Sequence, residues 1–342
     1  MTDIAAYGTW KSPISAADVA RGATPVGFPS IAGDEVWWQE GRPAEGGRVT
    51  IMASAGPDDQ PRELLSAPWY ARTRVHEYGG RSYLPVPSAD EPDRFDLVFA
   101  NFTDQRLYRL REAGAGEPTP LTPDGAGFRF ADLTLSPDGR EIWCVREIVR
   151  PDDGKLEAGF HVGGGMKVNR TIVAVPLDGS AADGGAGDGG AEDAGAEAIR
   201  VLVSGADFFA FPTPSPDGTR LAWISWNHPQ MPWDGTELRV AGVTAAGGGR
   251  VAESALIMGG PDESVLAPRW RDDDSLYAIS DASGWWNLYE VAAVAGAPPG
   301  RCTRPKRSSP GRSGSSAAAR SSCSPTEGWR YCTASASCSW RC

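Results

Sequence analysis

The sequence holds three imidazoles, at His76, His161 and His228. Nucleophilic hydrolysis of the Ser-His-Asp type needs a histidine within reach of an activated serine, and in the α/β-hydrolase order that histidine follows the serine. No histidine lies beyond residue 228. The nucleophile elbow, G-x-S-x-G, is also missing: "GRSGSS" (311–316) lacks the second glycine where it is needed and has no strand-to-helix context. No peptidase activity is expected from this chain alone. Two stretches concentrate the remaining chemistry. "RVHEYGG" (74–80) brings together Arg74, His76, Glu77 and Tyr78, and "SWNHPQMPWDGTEL" (225–238) brings Trp226, His228 and Trp233. His76 and Glu77 are expected to form a strand-end network within one sheet, and His228 to be a packing histidine between Trp226 and Pro229.

Metal and phosphate chemistry find little support. "RDDDS" (271–275) has the composition of a cation site, but three consecutive acids in a strand cannot face one ion, and a solvated turn is expected. "HVGGGMK" (161–167) is glycine-rich without the strand-to-helix setting of a phosphate loop. Cys323, Cys332, Cys338 and Cys342 lack the paired spacing of a zinc site. No metal and no cofactor are expected.

The elements that would position these residues are short strands. Gly (42) and Pro (28) punctuate the 342 residues heavily, and 13 Trp argue for a large core rather than disorder. Four segments align: "PSIAGDEVWW" (29–38), "LSPDGREIWC" (135–144), "PSPDGTRLAW" (214–223) and "RWRDDDSLYA" (269–278), the last pairing Trp270 with Ser215. Each is a tight turn, suited by Asp and Gly, followed by an apolar strand. A second strand type follows each, as in "RTIVAVPLDG" and "WNLYEVAAVAG". The unit is turn, strand, loop, strand, turn, at about 50 residues, with no helical periodicity, and it predicts an all-β fold: an incomplete β-propeller of about five blades. The blades are expected near 24–66, 74–122, 128–204, 207–260 and 264–299. A two-sheet sandwich accounts less well for the repeat. The acidic, low-complexity insertion at 180–198 is expected to be a disordered loop. Residues 225–238 then become the connection between the second and third strands of the fourth blade, with Trp226 and Trp233 covering a blade edge.

Charge and location follow. The net charge of −11 is uneven: from Gly300 onward eight Lys/Arg face one acid, Glu327, so that stretch carries +7 and residues 1–299 carry −18. An acidic body of that size disfavours nucleic acid as a partner. No apolar run is long enough to span a bilayer and the N-terminus has no apolar h-region, so a cytoplasmic protein without membrane contact is expected. Cys144 is the single cysteine of the body.

"NHPQMPWDGTEL", "VHEYGG", "SPDG", "NRTIVAVPLDG" and "SDASGWWNLYEV" together resemble the N-terminal propeller of the prolyl oligopeptidase family, in its acylaminoacyl-peptidase and dipeptidyl-aminopeptidase-like branch. The resemblance covers residues 1 to about 299. It implies about seven blades over an α/β-hydrolase domain with a Ser-Asp-His triad, the propeller gating and selecting peptide substrates. It also implies that Arg74, His76, Glu77 and Tyr78 face the hydrolase domain or the substrate tunnel. The family pattern stops near Pro299, and the Ser/Cys/Trp-rich sequence after it becomes Leu/Val-rich when the reading frame is shifted. Residues 300–342 are therefore expected to be a non-native, out-of-frame and disordered tail. Stopping after five blades is expected to leave unpaired faces and drive self-association. The alternative is a stand-alone propeller that binds a protein or small ligand. A propeller enzyme such as a lactonase would need inward-facing acids and a metal that this sequence does not assemble.

Overall fold

The computed structural model describes residues 6–302, apart from 10–11, 22–23, 89–90, 92, 126, 153–159, 163–164, 183–197 and 245–249. The tail from 303 and most of the acidic insertion lie outside the described residues. The described chain folds as five antiparallel sheets in sequence order. The first contains β1 (Val26–Ala32), β2 (Glu35–Arg42), β3 (Arg48–Ser54) and β4 (Arg62–Glu63). The second contains β5 (Tyr83–Pro87), β6 (Phe95–Ala100), β7 (Leu107–Leu110) and β8 (Thr119–Pro120). The third contains β9 (Phe128–Leu135), β10 (Glu141–Pro151), β11 (Phe160–Val162), β12 (Met166–Pro176) and β13 (Arg200–Val203). The fourth contains β14 (Phe208–Pro214), β15 (Arg220–Trp226), β16 (Glu237–Thr244), β17 (Arg250–Val251) and β18 (Ala255–Gly259). The fifth contains β19 (Val265–Trp270), β20 (Ser275–Ser280), β21 (Asn287–Ala292) and β22 (Gly300–Arg301).

This is a five-bladed β-propeller. Its inner strands succeed one another around the axis, β1 on β5, β5 on β9, β9 on β14 and β14 on β19. No comparable packing joins β19 to β1 among the described residues. Four apolar clusters fill the four spaces between sheets. Trp37, Tyr83 and Phe99 lie in the first, Leu121, Phe130 and Val173 in the second, Trp143, Phe209 and Trp223 in the third, and Ile224, Leu276 and Val291 in the fourth. A blade between two neighbours buries both faces, so its central strands run apolar without strict alternation, as β15 does. The outer faces have no neighbour among the described residues: cross-strand partners Ile31 and Val36 are exposed on the first sheet, and cross-strand partners Ile279 and Leu288 face away from the core cluster on the fifth.

The repeated turns explain the sequence repeat. Ser136 Oγ donates to Asp138 Oδ1 at 2.6 Å and accepts the amide of Arg140, while Gly139 takes φ +71°. Ser215 and Asp217 repeat this at 2.6 Å, with Gly218 at +71°. "RDDDS" is also a turn, closed by Ser275 Oγ donating to Asp272 at 2.8 Å. Register corrects the alignment here: Pro214 pairs with Leu221 and Trp270 with Leu276, so Trp270 matches Pro214, not Ser215, because the acidic turn is one residue shorter. The glycine-rich stretch 161–167 joins strand to strand, with His161 on β11 paired to Lys167 on β12. One further expectation shifts. The fifth sheet takes its last strand from Gly300–Arg301, and Cys302 is buried with its amide on the Leu288 carbonyl, so the first residues of the +7 stretch join a blade.

Candidate functional site

The inner strands carry a local device that shapes the axis. The pairing of first and second strands slips at one position in sheets one, three, four and five. The residues at the slip are Phe28, Asp132, Phe211 and Ala267, all left-handed at φ +51° to +55°. Such a bulge bends the strand and re-aims its side chain, at a cost that L-residues accept only when packing holds them. The Asp132 carboxylate supplies that hold between sheets, accepting the amides of Arg81 at 3.2 Å and Phe211 at 3.0 Å. Burial raises the Asp132 carboxyl above the usual carboxylate range, against the pull of those two amides.

"RVHEYGG" lies in the connection from the first sheet to the second and reaches across to the third. His76 and Glu77 are both left-handed, at φ +57° and +64°. Their anchor is Glu147 on β10, 1% exposed, which accepts the His76 amide at 3.1 Å, Arg129 at 2.9 Å and Arg170 Nε at 2.6 Å. Arg129 also bonds Glu77 at 2.6 Å and the Arg74 carbonyl at 3.2 Å. Its hydrogen bond holds Glu77 below the usual carboxylate range. The expected network within one blade is thus replaced by a bridge between blades. The His76 ring sits edge-on to the stacked pair Phe208–Trp226, 5.5 Å from each. Its Nε2 is shut from solvent with no hydrogen-bond partner. Burial, and then the Arg170 cation, lowers its pKa to about 3, so the imidazole is neutral at pH 7.

The connection at 227–236 is stiffened as its prolines imply. Asn227 accepts the Asp207 amide, Asp207 accepts the His228 amide, and Thr236 Oγ1 donates to the Val265 carbonyl at 2.6 Å. Gly235 has no room for a side chain, since a Cβ there would meet the carbonyl oxygens of Gly260 and Pro261 at 2.4 and 2.5 Å. His228 is exposed rather than packed, and Trp233 is 58% exposed. Trp226 does not cover an edge but ends β15 buried in the fourth core cluster.

A cavity of about 870 Å³ opens at the axis, between the bulged inner strands and the unpaired face of the first sheet. Its walls include Phe28, Trp38, Tyr78, Phe211, Trp226 and His76. Its ionic groups are already engaged: Glu40 with Trp38 Nε1 and Arg42, Asp132 with its two amides, Arg72 with the Tyr70 hydroxyl. Such a cavity suits a neutral, flat or apolar group. Of the sequence candidates, the structure gathers His76, Tyr78 and Trp226 at the cavity, with Arg74 and Glu77 bracing its wall. His228 and Trp233 are not among its lining residues. Phe28, Asp132, Phe211 and the anchor Glu147 were missed. A signal existed for two of them: Asp132 and Phe211 each precede the Ser of a Ser-Pro-Asp-Gly turn by four residues. Among the described residues no three His, Cys, Asp or Glu are placed to hold a metal ion, and no helix is long and apolar enough to cross a membrane.

No family model and no curated protein matches the chain. Among solved structures, a puromycin-hydrolyzing peptidase of Mycobacterium tuberculosis is 51% identical, with a TM-score of 0.71, over 86% of this chain and 41% of that one. The chain belongs to the prolyl oligopeptidase family, as its propeller part. Puromycin hydrolase agrees, 40% identical with a TM-score of 0.70 over 86% of this chain and 42% of that one. So does a mutant of puromycin hydrolase complexed with PGG, 40% identical with a TM-score of 0.71 over 88% and 42%. The chain spans about two fifths of the length of these prolyl oligopeptidase family members.

Proposed function

We propose that this chain is the substrate-selecting propeller of a serine peptidase, working with an α/β-hydrolase domain that supplies the triad. The observation that carries the reading is the axial cavity, walled by aromatic groups, in a chain 51% identical to a puromycin-hydrolyzing peptidase. Antiparallel alternation puts the connections between second and third strands on the same side of the propeller as those between sheets. Tyr78, Trp233, Trp285 and Trp286 lie in such connections and are exposed, so one face carries an aromatic rim. That face is the one we assign to the incoming substrate and the hydrolase domain, in a cytoplasmic setting.

A chimera tests the assignment. Residues 24–302 would replace the matching two fifths of the Mycobacterium tuberculosis relative. The chimera is expected to hydrolyse puromycin, and Trp226→Ala or Tyr78→Ala within it to raise KM severalfold with little change in kcat. Unchanged kinetics in a folded chimera would overturn the reading. The isolated chain is expected to leave a fluorophosphonate probe unreacted. We read residues 300–342 as translated out of frame, and the nucleotide sequence across Pro298–Cys302 tests this: a shifted frame that meets a stop codon within a few dozen residues removes it.

A further inference from the structure

Away from the cavity, the face of the third sheet that packs on the second carries a buried cation with no carboxylate beside it among the described residues. Arg146 on β10 and Thr171 on β12 are direct cross-strand partners, so their side chains share a face. Cys144, two residues before Arg146 and so on that same face, belongs to the apolar cluster between the second and third sheets. Arg146 is 7% exposed and Thr171 4%. Arg146 Nε and Thr171 Oγ1 are both shut from solvent and both lack a hydrogen-bond partner. Two buried polar atoms on directly paired residues thus stand without a partner, whereas buried polar atoms are otherwise almost always satisfied.

The charge inventory says what kind of group would satisfy them. Among the described residues the charged or titratable groups acting on the Arg146 guanidinium are the Cys144 thiol and the Arg150 cation, with no carboxylate. The Phe128 ring lies 5.0 Å from the Arg146 guanidinium and 5.9 Å from that of Arg150, so two cations share one aromatic face. A water molecule would satisfy Nε and Oγ1 but would leave the charge in place. An oxyanion satisfies all three, taking two parallel N–H bonds from the guanidinium fork and one O–H from threonine. We propose that Arg146 and Thr171 form a binding site for a small oxyanion, a carboxylate or a phosphate, between the second and third sheets.

The test is thermal melting of the chain with sodium acetate or inorganic phosphate titrated against a bulky sulfonate at fixed ionic strength. A saturable rise in Tm is expected with at least one of the two probes. Acetate alone identifies a carboxylate site, phosphate alone a phosphate site, and both a general oxyanion site. Arg146→Met should abolish the rise, and Thr171→Val should weaken the midpoint severalfold. If Arg146→Met fails to fold, Arg146→Lys keeps the charge without the fork and should also weaken it severalfold. Equal melting in all three anions, or a dose response untouched by Thr171→Val and Arg146→Lys, overturns the proposal and leaves a buried water as the occupant.

Discussion

His76 shows how much a single side chain can change meaning between sequence and structure. In the sequence it is a titratable group expected to join Glu77 in a strand-end network. In the fold it is a neutral ring against Phe208 and Trp226, with its pKa lowered to about 3 from 6.5. Between those values the unfolded chain takes up a proton at this site and the folded chain does not. The stabilisation is therefore complete above about pH 6.5 and is lost as pH falls toward 3, with a slope of up to about 1.4 kcal/mol per pH unit. Urea denaturation from pH 7 to pH 4 should show this loss, and His76→Phe should flatten it. Gly235 gives a second prediction at this scale. Gly235→Ala would push a methyl into two carbonyl oxygens, and should cost about 1–3 kcal/mol by the same measurement.

At the scale of elements, the connection at 74–80 is held by the third sheet rather than by its own blades. Glu147 is the joint, with Arg129, Arg170 and the His76 amide all on one buried carboxylate. Replacing it by alanine removes the buried carboxylate that both Arg170 and Arg129 bond, and should cost about 3–5 kcal/mol. Glu147→Gln keeps one acceptor oxygen and loses the charge and the other acceptor. Hydrogen exchange should then quicken at residues 74–80 while the strands of the second sheet stay protected; uniform quickening would show that the connection is not a separately held element. The Ser-Pro-Asp-Gly turns are more modular. Ser136→Ala removes the oxygen that accepts the Arg140 and Glu141 amides, and should cost about 1 kcal/mol without touching the cavity.

For the whole molecule, five sheets enclose four apolar spaces, and the two outermost faces have no neighbour among the described residues. Ile31 is 73% exposed on the first sheet, and Ile279 and Leu288 on the fifth face away from its core cluster. Exposed apolar surface of this kind promotes association. Light scattering is expected to show mass rising with protein concentration, and Ile31→Ser with Ile279→Ser to reduce it. A concentration-independent monomer would show that these faces are inert.

The sequence by itself determined the repeating unit, because a turn and the strand after it are local. A serine, an aspartate and a glycine within four residues close their own hydrogen bonds, and apolar strands follow at once. Four of the five sheets were legible for that reason and the period of the repeat implied the other; the place of residues 225–238 between two strands of the fourth was legible too. Only the tertiary structure decided which side chains meet. Glu147 lies 71 residues from His76, and Phe211 lies 79 from Asp132. No local pattern encodes those bonds; they arise when neighbouring sheets pack and bring bulged inner strands to one axis. The same packing turned Trp226 inward and left His228 exposed two residues later, since the strand ends between them.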